Sequence, residues 1–289
     1  MDYHKLNQEK RKTVRPYAIM SIVGIVFIIL GFILFASQNP IGFFLFIFGG
    51  ALSVIGGINS TRALNKVKDI VINAIMKEKG IEGIYQAKNY FSKEIIKETG
   101  MIGSFNEYKG SDYTKFNYKG LMVEYCRLDI YMVTSNGESS SRTPVYVGPW
   151  MIITLPRNLN QRIKIFEKQF FSKGVNNRGL IEVKTESLVF NDKFASWTTD
   201  EHTFFYIMTP KMMENMLKHE SQHRGRTLFC LLRNTIHLGM HGKPEKKFKI
   251  PLIRDIEESD IKAIRDDFDN ILSVIDTLDF EHDKYMIKQ

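Results

Sequence analysis

YAIMSIVGIVFIILGFILFASQNPIGFFLFIFGGALSVIGGI occupies residues 17–58, and its reading decides the fold. Tyr17 to Ala36 is an uninterrupted uncharged run, long enough to cross about 30 Å of hydrocarbon at about 1.5 Å per residue. Ser37-Gln38-Asn39-Pro40 breaks it. A second charge-free run, Ile41 to Ile58, ends at Asn59-Ser60-Thr61-Arg62. Two such runs joined by so short a turn predict a transmembrane helical hairpin, because in lipid each segment has to satisfy its own backbone hydrogen bonds. The small residues Gly49, Gly50, Ala51, Ser53, Gly56 and Gly57 would let the two helices approach closely.

The flanks set the expected orientation. Residues 1–16 are basic, with Lys5, Lys10, Arg11, Lys12 and Arg15, and Arg62, Lys66 and Lys68 follow the second run, whereas the turn carries no charge. The positive-inside rule then places both termini in the cytoplasm, as a multi-pass protein of the cell membrane whose residues 17–58 contact the lipid bilayer. A cleaved signal peptide would need a shorter apolar region and a small-residue cleavage site, and would leave the second run unexplained.

The whole chain has 289 residues, 44% hydrophobic and 25% charged, with a formal net charge of +8. That composition suits one globular core plus an appendage and excludes a disordered chain. The charge is uneven: from Asp255 onward acids outnumber bases, so the upstream body is strongly basic. No basic element is interleaved with aromatics and no helix-turn-helix pattern occurs, so a nucleic-acid partner is not expected. The two cysteines, Cys126 and Cys230, lie inside apolar strand-like runs and are too few for a disulfide scaffold.

After the hairpin, residues 59–100 read as a helical connector. Ala63, Leu64, Val67, Ile70, Val71, Ala74 and Ile75 recur at helical spacing up to a stop at Gly80, and Tyr90 to Glu98 reads as a short helix ended by Gly100. From Phe105 the pattern turns to strands. Leu121 to Val133 and Val145 to Thr154 predict strands around a Ser-rich surface loop, Ser135 to Thr143, and Ile181 to Val189 and Phe194 to Thr198 predict two more. Thr209-Pro210 is a helix start, with Met212, Met213, Met216 and Leu217 as its buried face. Leu228 to His241 alternates as a half-buried strand or a strand pair turning at Arg233-Asn234. Ser259 to Leu278 closes the chain as an amphipathic helix on Ile261, Ile264, Phe268, Ile271, Leu272, Ile275 and Leu278. The expected fold class is α+β: the hairpin, then a cytosolic domain over residues 101–289 with a largely antiparallel sheet and flanking helices.

One motif carries chemistry. His219, Glu220 and His223 stand in the H-E-x-x-H order of zinc peptidases, where two histidines bind the metal and the glutamate polarises its water. Here the motif lies near the end of its helix, its inner pair is Ser221-Gln222, Arg224 follows, and the glycine at 225 is one short of the longer H-E-x-x-H-x-x-G-x-x-H pattern. His237 or His241 as a third ligand would sit about 13 Å apart along one strand. The reading preferred is a solvated helix end, and no P-loop, dinucleotide fingerprint or cysteine–histidine pair adjacent in sequence offers other catalysis. No catalytic residue and no cofactor are expected.

Three stretches, PVYVGPWMIITLP (144–156), LVFNDKFASWTTDEHTFFYIMTPKMMENML (188–217) and GRTLFCLLRNTIHLGMHG (225–242), together resemble the bacterial membrane protein family of domain of unknown function 3137. Phe190, Phe194, Asp200, Thr209-Pro210 and Asn234 stand at that family's punctuation points, while Met208 replaces its leucine and Pro149-Trp150 departs from its pattern. The resemblance implies a membrane-tethered cytosolic domain and carries over no catalytic residue. The function expected is a non-enzymatic, membrane-anchored protein whose cytosolic domain binds or scaffolds a protein partner. The alternative is a membrane-tethered zinc-dependent hydrolase acting through residues 219–223.

Overall fold

The computed structural model of the protein describes residues 3–137, 139–168, 175–222, 225–242 and 247–279. Helix α1 (Tyr3–Thr13) passes through Val14 into α2 (Arg15–Ala36), whose second residue is Pro16, a position where the missing N–H costs nothing. A tight turn follows, in which Asn39 Oδ1 accepts a hydrogen bond from the Ile41 N–H at 3.0 Å. Helix α3 then runs unbroken for 38 residues, Ile41–Glu78. The connector helix is therefore the continuation of the second apolar run. Both helices are long and apolar enough to cross a membrane. Their aliphatic and aromatic side chains face outward, as with Phe32, Phe44 and Val54, each more than 60% exposed.

Glycines hold these two helices together. A Cβ on Gly24 would lie 2.6 Å from the Gly49 carbonyl oxygen, one on Gly31 2.8 Å from that of Gly42, and one on Gly56 2.7 Å from that of Tyr17. Gly24 and Gly31 are one heptad apart, as are Gly42, Gly49 and Gly56, so one seam recurs at each second turn. Gly50, outside the seam, has nothing within 4 Å.

The chain separates into two units, Met1–Ile75 with Lys247–Asp267, and Met76–Lys246 with Phe268–Gln289. In the first, Leu6 and Lys10 of α1 and Val14 just after it are buried at four-residue spacing, and the segment before the last helix lies along α1. Asn7 behaves as a strand partner there: its Nδ2 donates to the Ile256 carbonyl at 2.9 Å and its Oδ1 accepts from the Ile256 N–H at 2.8 Å. Lys10 Nζ donates to the Arg254 carbonyl, and Arg11 and Arg15 both bind Asp255.

The second unit is built on one sheet. Its elements in chain order are β1 (Gly83–Gln86), α4 (Lys93–Thr99), β2 (Glu107–Tyr118), β3 (Leu121–Ser135), β4 (Ser140–Thr154), β5 (Arg162–Glu167), β6 (Ile181–Val183), α5 (Leu188–Lys193), β7 (Phe194–Thr198), α6 (Glu201–Ile207), α7 (Pro210–Gln222), β8 (Arg226–Leu232) and β9 (Thr235–His241). Among the described residues nine strands pair in the order β1-β2-β3-β4-β9-β8-β5-β7-β6, each pairing antiparallel. The last helix, α8 (Glu258–Leu278), contributes its second half to this unit, where Phe268 meets Phe116 of β2 at 5.4 Å between ring centres. The fold class is α+β with a largely antiparallel sheet and flanking helices, as expected.

Several local expectations are corrected. Ser135 to Thr143 is mostly strand: β3 and β4 pair out to Ser135 and Ser140, and Arg142 lies over the Tyr131 ring at 3.4 Å while its Nε donates to Glu107 at 2.8 Å. The strand at Ile181 ends at Val183, because Ser187 Oγ accepts from the Phe190 N–H at 3.2 Å and starts α5 instead. The short helix after Tyr90 begins only at Lys93, although it ends as expected on Gly100, whose left-handed φ of 59° favours glycine. In β8 and β9 both faces are buried, His237 with Ile236 and Leu238 and Thr227 with Leu228, so the pair is central rather than half-exposed.

Candidate functional site

Thr209 opens α7 as expected, its Oγ1 accepting from the Met212 N–H at 3.3 Å, and Met212, Met213 and Met216 are buried while Leu217 is half-buried. His219 continues that stripe one turn beyond Met216 and is 1% exposed. The expected solvated helix end is thus corrected at His219, whose position at i+7 from Met212 turns it inward. Glu220 points elsewhere: its carboxylate accepts from Lys193 Nζ, at the end of α5, at 2.8 Å. A neighbouring carboxyl, Glu167, accepts from the Thr227 N–H at 2.6 Å, and its burial, with the Glu220 charge adding, raises its pKa. His223 lies outside the described residues. Among the described residues no three His, Cys, Asp or Glu side chains are grouped to hold a metal.

The other two histidines of interest, His237 and His241, sit on β9 against aromatic rings. Trp150 Nε1 donates to His237 Nδ1 at 3.3 Å, and His237 Nε2 lies 3.2 Å from Thr235 Oγ1, which itself donates to the Leu232 carbonyl. This chain of donors fixes a neutral ring with its proton on Nε2. Burial holds the His237 pKa down at about 4. His241 Nδ1 accepts from the Val147 N–H at 3.1 Å, and burial, helped by Arg226, lowers its pKa too. Each imidazole thus spends its Nδ1 lone pair on a protein N–H, and neither joins His219 in a ligand cluster.

Three further buried groups are structural in their surroundings. Lys164 on β5 is fully buried, donating to the Gly100 carbonyl at 3.1 Å and the Asn176 carbonyl at 2.6 Å. Desolvation lowers its pKa to about 8, and the two carbonyls hold the ammonium at the end of α4. Cys126 and Cys230 are free thiols in one apolar cluster with Ile96, Trp150 and Phe166, and burial pushes the Cys230 thiol up to about 12 and Cys126 up as well. Neither has the thiolate character of a nucleophile.

A concave feature of the second unit lies elsewhere. Asn89, Tyr90, Phe91, Ser92, Ile95, Tyr113 and Glu124 line an open groove of about 230 Å³. Phe91 and Tyr113 meet edge to face at 5.8 Å, and Tyr113 Oη donates to Glu124 Oε1. Burial, and then that hydrogen bond, raises the Tyr113 pKa, so the hydroxyl stays protonated and Glu124 keeps its donor. Tyr90 is 40% exposed on the rim and packs on Tyr108, which stacks on Phe105 at 5.6 Å. Sequence reasoning missed this site, since no motif joins residues 89–95 to Tyr113 and Glu124. The pairing of β2 with β3, Lys115 opposite Glu124, brings them together.

These features define a class before they define an activity: an α+β domain on one antiparallel sheet, following a pair of long apolar helices. Residues 144–280 match the model of the family described as "Protein of unknown function (DUF3137)", and the resemblance drawn from the sequence holds over that segment, β4 to α8. No curated protein matches the chain. Among solved structures, the mycobacterial trehalose monomycolate transport factor A, TtfA, is similar at 10% identity and a TM-score of 0.36, over 72% of this chain and 95% of that one.

Proposed function

We propose that the protein is a membrane-anchored, non-enzymatic binding module. In this reading α2 and the first half of α3 cross the bilayer as a hairpin with both chain ends cytoplasmic, and the sheet unit holds a protein partner in the aromatic groove between α4 and β2–β3. Support for the anchor is the outward apolar surface of two helices joined by an uncharged turn and flanked by Lys5, Lys12, Arg62 and Lys66. The observation that carries the binding half is the groove itself: exposed Tyr90 and Ile95 on its rim, a half-buried carboxylate-bound tyrosine at its floor, and room for one or two side chains. Apolar concavity with a few convergent polar groups is the ordinary form of a recognition site. Glu124 would orient a cationic or hydroxylated side chain of the partner.

A photo-crosslinking side chain at Tyr90, in the full chain in its native membrane, tests this. A single protein adduct that is absent from the Tyr113→Ala variant and from a probe at Glu182 on β6 supports the reading. Adducts that are identical from Tyr90 and Glu182 overturn it.

A further inference from the structure

We infer that the bend at Leu252–Ile253 is a lipid-contacting wedge, seated in the interfacial layer of the leaflet that α2 enters. The inference rests on the hairpin reading above and adds a third point of membrane contact, drawn from the far end of the chain.

The height of this bend is set by a ladder of contacts along α1 and the start of α2. Ile256 pairs with Asn7, Arg254 receives Lys10, and Asp255 receives both Arg11 and Arg15. The Ile253 carbonyl accepts from Arg15 Nε at 3.2 Å. As residue numbers fall from 256 to 253 they therefore rise along the helix from 7 to 15. The bond to Arg15 sets Ile253, and Leu252 beside it, next to the first turn of α2, where the uncharged run begins at Tyr17.

The side chains change character at that height. Ile256 and Ile250, on either side, are buried, whereas Leu252 is 38% and Ile253 52% exposed. The outward aliphatic surface is thus confined to the bend. It is continuous in level with Tyr17 and Ile19 of α2, themselves 40% and 56% exposed. Arg15 and Arg254 stand just below, at the level where cations meet lipid phosphates, and the acids around them are already paired, Asp255 with Arg11 and Arg15, and Asp260 with Arg254. Aliphatic tip, tyrosine and arginine at one level are the composition of a bilayer interface, and a protein partner would find that level occupied by headgroups.

The test uses the full chain in vesicles of phosphatidylcholine and phosphatidylglycerol, labelled with one environment-sensitive fluorophore at Ile253→Cys, Ile29→Cys or Ile95→Cys. The buried native thiols react poorly and serve as the unlabelled background. The wedge predicts blue-shifted emission at 253, quenched most by spin labels near the lipid headgroup, while position 29 is quenched most by labels deep in the acyl chains and position 95 only by aqueous iodide. If position 29 is quenched by deep labels but position 253 behaves as position 95 does, the wedge is wrong and the hairpin stands. If position 29 is also open to iodide, the hairpin reading fails and takes the wedge with it.

Discussion

Gly24 and Gly49 meet backbone to backbone: a Cβ on either one would fall 2.6 Å from the carbonyl oxygen of the other. Neither helix can yield without opening the whole seam. Gly24→Ala and Gly49→Ala are each expected to lower stability by about 1–3 kcal/mol through overpacking. Gly50→Ala, with nothing within 4 Å, should leave it unchanged. Thermal melts of the detergent-purified full chain distinguish the two classes of variant, and equal melting points for Gly24→Ala and Gly50→Ala would refute the seam.

Asn7 makes a two-point bond to the Ile256 backbone. Removing it with Asn7→Ala forfeits two hydrogen bonds worth about 1 kcal/mol each. Amide exchange at Ile256 is expected to quicken by roughly ten-fold or more, since about 1.4 kcal/mol is a factor of ten. Exchange rates at Phe166 and Leu231, in the sheet, should not move.

His237 makes stability fall with acid. Its pKa is about 4 in the fold and about 6.5 in the unfolded chain. Between those values the unfolded chain binds a proton that the folded chain refuses, so stability drops as pH falls through that window and is untouched by this group above it. The drop amounts to ~3 kcal/mol when pH is lowered from 7 to 4. Protonation also removes the acceptor for Trp150 Nε1, so tryptophan emission reports the transition. His237→Gln should flatten the profile, and an unchanged slope in that variant would reassign it to other groups.

Glu220 and Lys193 are expected to act as one exposed ion pair. Glu220→Gln and Lys193→Met should each shift the melting temperature slightly, and the double variant no further than either single one, the mark of a shared interaction. Stoichiometric zinc in the purified full chain, lost on His219→Ala, would instead give Glu220 the role of a hydrolase base.

The hairpin was readable because absence of charge over two long runs is a signal that needs no tertiary context. So was the last helix, where Ile261, Ile264, Phe268, Ile271 and Ile275 are all buried as their spacing requires. Strand β2 was hidden. Asp112, at a positive φ of 63° where the pairing with β3 shifts, and Thr114 occupy inward positions beside Phe116, so the alternation contains polar residues on the buried face. His219 was misread because Glu220, Ser221 and Gln222 after it are polar, although its seven-residue spacing from Met212 was visible. The groove had no local signature at all, since Tyr113 and Glu124 face it only once β2 and β3 have paired.

The first unit is discontinuous, and that fixes when it can be finished. Asn7 and Ile256 are 249 positions apart. A ribosome adding roughly 5–20 residues per second needs on the order of tens of seconds to travel between them. Throughout that interval the newborn amino-terminal helix lacks the backbone segment that Asn7 will grip. Completion of the basal clamp is therefore a late event in biosynthesis, and truncating translation before residue 256 leaves it unmade however long the nascent chain waits.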